Sequence, residues 1–224
     1  MNLTGSPRPN ASAHPLAWYA ARAVPWLLTG AGCTMIVGLM VLVGRWPGVM
    51  WPLEGTALGL LAGVVAWAND ERCAAIVDTL PRSLRWRTLA RSVALGLVLA
   101  VWIACLLAQW HRLPPHLPLF ALQGAAAAAA ALAVTVWRRA AGSPEPGRAF
   151  ASVIIPASAA LALIRPAARR LPLFPIWLGE DWARGTVIWT AVLGASFVIL
   201  TLALADRDAP PVLARLVQSV RPVR

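Results

Sequence analysis

Long apolar stretches, each near the length of a bilayer crossing and separated by short arginine-bearing segments, constrain this chain more than any other feature. A helix needs about 20 mostly apolar residues to cross a hydrocarbon core. Six stretches meet or approach that length, at residues 26–44, 49–67, 92–109, 117–137, 149–164 and 186–205. The fifth is short and carries Pro156. Of 224 residues, 59% are apolar and only 13% are charged, too little charge to cover a soluble domain of this size. The expectation is an all-α integral membrane protein, one transmembrane domain over 1–224 with about six spans.

A net charge of +11 raises the question of nucleic acid. The distribution answers it: the arginines sit in short clusters between apolar runs, as in the flanks of membrane spans, and form no basic face. All 20 basic residues are arginine. A P-loop needs a lysine to reach nucleotide phosphates, so no Walker A motif is present. Arginine-only usage with abundant alanine points to a high-GC bacterial source, and hence to the bacterial inner membrane. With both termini inside, 14 arginines fall on inner segments and 6 on outer ones, which sets the expected orientation. Four of those six lie between the last two spans, where the orientation is least firmly set. Tryptophans 46, 51, 110, 177 and 182 fall at expected outer ends, and 26, 67 and 137 at inner ends, as headgroup-level anchors do.

Two segments read as neither spans nor plain loops. Residues 13–24, with Trp18, Tyr19 and Arg22, predict a short amphipathic helix at the inner surface. Residues 165–185 are apolar and aromatic yet broken by proline, which predicts a re-entrant or interfacial segment before the last span. The first apolar run ends in Gly44-Arg45-Trp46-Pro47 with no small-residue cleavage site, so a retained span is expected there.

Candidate chemistry is sparse. Cys33, Cys73 and Cys105 have no metal spacing and read as small buried hydrophobes; His111 and His116 read as loop residues around Pro114-Pro115. No catalytic residue, metal site or cofactor is expected on this chain. The middles of the spans lack Asp, Glu, Arg and His, which argues against ion-driven transport; Glu54 stands at the outer end of the second. Gly55, Gly59 and Gly63 line one face of that span, suited either to packing within one bundle or to a dimer interface.

The informative stretch is the inner segment 69–91. Asp70 and Glu71 suit a helix first turn, Ala74, Ile76, Val77 and Leu80 give an apolar side, and Pro81 ends or bends it. A second helix is expected from about Ser83, with Arg82, Arg85, Arg87 and Arg91 packed before the third span. This layout resembles the inner loop of ABC-2-type permeases, the membrane subunits of bacterial ABC exporters. The shared residues are Glu71, Arg72, Pro81, Ser83, Arg85 and Arg87, with Thr79 one place from its expected position; Cys73-Ala74-Ala75 replace the family's glycine and threonine.

The resemblance implies a permease subunit that dimerises with a second permease chain, alike or different. It also implies cytosolic ABC ATPase subunits that carry ATP and Mg and dock below. Asp70, Glu71, Arg72 and Asp78 are then expected to dock the ATPase, and Arg82, Arg85 and Arg87 to anchor the loop at lipid headgroups. The competing expectation is a non-transporting membrane anchor or assembly subunit of another complex. A lipid-acting membrane enzyme ranks below both, since only Glu180-Asp181 approaches the acidic cluster it needs.

Overall fold

The computed structural model describes residues 15–50, 52–71, 83–112, 117–163, 173–174 and 181–205. These form α1 (Pro15–Ala23), α2 (Trp26–Arg45), the single turn α3 (Pro47–Met50), α4 (Leu53–Ala68), α5 (Leu84–Ala108), α6 (Leu117–Ala140), α7 (Pro146–Leu163) and α8 (Asp181–Ala205). No strand occurs among the described residues. Helices α2, α5, α6, α7 and α8 are long and apolar enough to cross a membrane. The chain is therefore an all-α, multi-pass membrane protein. Large apolar side chains such as Leu27, Val153, Val187 and Leu202 face outward, the surface a lipid solvent requires.

Helix α4 occupies the middle of the bundle. At 16 residues it is shorter than the five spans, and 12 of its residues are buried. It packs most extensively on α7, and also on α2, α5 and α6. Its glycines explain the closeness. A Cβ on Gly55 would lie 2.9 Å from Ala162 Cβ, and one on Gly63 would lie 2.7 Å from Ile155 Cδ1. At Gly59 the Ser158 hydroxyl already fills the space a methyl needs. The small-residue stripe is thus taken up by α7 of the same chain, which removes it as a free surface for a second subunit.

The structure redraws some boundaries. Helix α5 begins at Leu84, where a helix from about Ser83 is expected, so the apolar span 92–109 is the later part of a longer helix; Ser83 caps it, its Oγ accepting the Trp86 N–H at 3.3 Å. Residues 72–82, the middle of the expected inner segment 69–91, lie outside the described residues, as does most of 165–185. Helix α7 runs through Pro156 and reaches 18 residues. In a membrane helix, neighbouring groups accommodate such a proline. Helix α1 forms where expected and rests on α5, with the Tyr19 and Trp86 rings edge to face at 5.0 Å.

Candidate functional site

Polar chemistry gathers at the arginine-rich end of the bundle, where α4 stops. Asn69 closes α4, and its Nδ2 donates to the Val65 carbonyl at 2.8 Å. The chain then turns to present two carboxylates inward. Asp70 reaches the first turn of α7, where its Oδ1 accepts the Gly147 N–H and its Oδ2 the Arg148 N–H, both at 2.6 Å. Helix first turns leave N–H groups without intrahelical partners, so a carboxylate from another element caps α7 as a local Asp would. Gly147 permits the approach. A Cβ there would stand 2.1 Å from the Ala66 carbonyl oxygen.

Glu71 takes the opposite direction. Its Oε2 accepts from Arg87 Nη1 at 2.8 Å and from Arg139 Nε and Nη2, both at 3.0 Å. Arg91, one turn after Arg87, donates through Nη1 to the carbonyls of Asn69, at 2.9 Å, and Asp70. It thereby neutralises the negative end of α4. Glu71, Arg87, Arg91 and Arg139 are all buried, none more than 6% exposed. A cavity of about 20 Å³ lies between them, enough for about one water. The cluster ties the end of α4 to α5, α6 and α7 through charge-assisted bonds.

Burial holds the Asp70 carboxyl above the ordinary aspartate value, against the N–H donations of Gly147 and Arg148, which pull it down. Glu145 raises it further, and Arg148 opposes that. Arg148 itself faces outward, paired with Glu145 at 2.7 Å and lying over the Trp67 ring.

This geometry corrects three sequence-based expectations. Asp70 and Glu71 are not displayed for a partner, because their carboxylates are buried and engaged within the chain. Arg87 is not at the headgroups, since it is 4% exposed and bonded to Glu71. Arg85 is exposed. Arg72, Asp78, Pro81 and Arg82 lie outside the described residues. Sequence reasoning took Arg91 and Arg139 only as topology signals and passed over Gly147. The i, i+4 spacing of Arg87 and Arg91 was the readable clue, since it sets both guanidiniums on one helix face.

A second polar layer lies at the far end of the bundle. The carbonyl of Leu173 accepts from Gln123 Nε2 at 3.1 Å and from Trp189 Nε1 at 2.9 Å. Trp102 Nε1 donates to the Phe120 carbonyl at 3.0 Å, over the bare backbone of Gly124. Phe174 seats against Gly55. The adjacent Glu54 is 1% exposed, and neither carboxyl oxygen has a hydrogen-bond partner among the described residues. The Oε1 of Gln123, fully buried, has none there either.

No family model, curated protein or solved structure matches this chain.

Proposed function

We propose that this chain is the permease subunit of an ATP-driven ABC-2-type exporter in a bacterial inner membrane. It works as a dimer with a second permease chain and is coupled to separate ATPase subunits that hold ATP and Mg. One observation supports the reading beyond the loop's sequence: both roots of the 72–82 segment are fixed in the same buried ion cluster. Glu71 enters the segment, and Arg87 and Arg91 follow it. A force on such a segment is delivered to α4, α5, α6 and α7 together. A connector that only sets topology does not require this.

The division of labour in the loop changes accordingly. Arg72 and Asp78 stay as the docking residues of this reading, with Pro81 as the break after them and Arg82 and Arg85 at the headgroups. Asp70, Glu71 and Arg87 become the anchor that passes motion inward. Arginine usage that favours both termini on the ATPase side fits the same arrangement.

The test is purification through a tag in mild detergent, followed by an ATP hydrolysis assay. The chain has no lysine and so no P-loop of its own, so hydrolysis in the eluate comes from a partner. A co-purifying P-loop ATPase supports the exporter; its absence after crosslinking at the 72–82 segment favours a membrane anchor or assembly subunit.

A further inference from the structure

A carboxyl group sealed inside a membrane bundle needs a counter-charge, a set of donors, or a proton. Glu71 has the first two. Glu54 has neither among the described residues, although it is more deeply buried.

The surroundings of Glu54 narrow the choice. On the helices packed against α4, the charged and titratable groups toward this end are few. Arg45 closes α2, is exposed, and lies beside the Trp46 ring. Cys105 is on α5, and His111 and Arg112 follow α5, both exposed. The far half of α6 and all of α7 beyond Arg148 carry no titratable side chain. No cation among the described residues pairs with Glu54.

Depth brings one polar group level with it. Helices α4 and α6 run in the same direction and pack side by side, with their near ends joined through the bond of Glu71 to Arg139. At 1.5 Å per residue, Glu54 lies about 22 Å along α4 from Asn69, and Gln123 about 24 Å along α6 from Arg139. The Leu173–Phe174 pair links the two sides, with its carbonyl on Gln123 and its ring on Gly55. Because Gln123 turns its amide N–H to Leu173, what remains is a buried acceptor, Oε1. A carboxylate is also only an acceptor, so the two cannot satisfy each other. One added proton turns Glu54 into a donor and solves both.

We infer that Glu54 is an intramembrane proton-binding site, its carboxylic acid O–H directed to Gln123 Oε1 at the far end of α4 and α6. Loss of the proton leaves a buried carboxylate in the first turn of α4 with no hydrogen-bond partner among the described residues, which draws in water and loosens this end of the bundle. The site is a single proton-linked latch, and it stands independently of the exporter reading. The expectation that the spans lack ion-responsive groups treated Glu54 as an end residue; its burial gives it this role.

The test is infrared difference spectroscopy of the full chain in nanodiscs, titrated from acid to alkaline pH in the presence and absence of sodium. Wild type should show the carbonyl stretch of a protonated carboxyl at neutral pH. That band should be lost in Glu54→Gln and shifted to higher frequency in Gln123→Leu. A wild-type spectrum without the band, or a band that Glu54→Gln leaves intact, overturns the site. Sodium abolishing the band at constant pH also overturns it, in favour of a metal-cation site. Should either variant fail to fold, carbodiimide mapping on wild type decides. A hydrophobic carbodiimide, which reacts with protonated carboxyls, should modify Glu54 and spare Glu71 by peptide mass mapping. Glu54 left unmodified overturns the proposal.

Discussion

The two ends of α4 each bury a glutamate, and they solve the problem in opposite ways. Glu71 is bonded to Arg87 and Arg139, with Arg91 capping the carbonyls beside it. Glu54 is 1% exposed, with no hydrogen-bond partner for either oxygen among the described residues. A buried charge held between two guanidiniums fixes structure. A buried carboxyl without pairing is free to change its protonation. The near end therefore reads as a rigid anchor, and the far end as a place that responds.

Substitution of the two glutamates should expose the contrast most strongly. Glu71→Gln removes the charge that two buried guanidiniums share, and breaking such a pair costs about 3–5 kcal/mol. Glu54→Gln replaces a neutral acid with a neutral amide and should change stability by less than about 1 kcal/mol. Thermal unfolding in detergent reads both. Equal losses would erase the distinction between the ends.

Next in size is the glycine that lets Asp70 reach α7. Gly147→Ala sets a methyl against the Ala66 carbonyl, which is backbone and cannot swing aside. The expected cost is about 3 kcal/mol, as for other overpacked sites. Gly63→Ala meets side-chain atoms, Cδ1 and Cγ1 of Ile155, and no backbone, and should cost about 1 kcal/mol. Unfolding midpoints that rank these two the other way would remove the close α4–α7 approach at the anchor.

Asp70 sharpens the near end further. Asp70→Ala leaves two N–H groups of α7 uncapped and should cost about 1–2 kcal/mol. Asp70→Asn keeps one acceptor and should cost about half of that. The sign with pH follows from burial, which raises the folded-state value of this carboxyl. Its contribution is fully present below the ordinary aspartate range and is lost as pH rises through the raised folded value. Melting curves across mildly acidic pH should show this slope in wild type and a reduced one in Asp70→Asn. The smallest effect is the control: Gly96 has nothing near its would-be Cβ, so Gly96→Ala should be neutral or stabilise by about 0.5 kcal/mol.

The bundle was legible because bilayer length and apolarity are local properties, and each expected span overlaps an apolar helix. What escaped was pairing across helices. Arg139 is 68 residues from Glu71, and nothing local marks the end of α6 as the partner of the turn after α4. The glycine stripe was readable as a close-packing face, yet only the fold shows α7 filling it. Asp70 and Glu71 looked like a helix first turn because acidic residues suit one. Asp70 does serve a helix N-terminus, that of α7, 77 residues further along the chain. Glu54 misled differently: its place near a span end suggested contact with water, and the neighbouring elements exclude it.

The exporter account rests on the arginine-rich end meeting an ATPase and the far end not doing so. Single cysteines at Asp78→Cys and Arg112→Cys, in a chain whose native cysteines are replaced by alanine, can be crosslinked in membranes and the products assayed. The account predicts a P-loop ATPase captured from position 78 with ATP hydrolysis in the eluate, and none from position 112. Capture from neither position, with no hydrolysis, would contradict it.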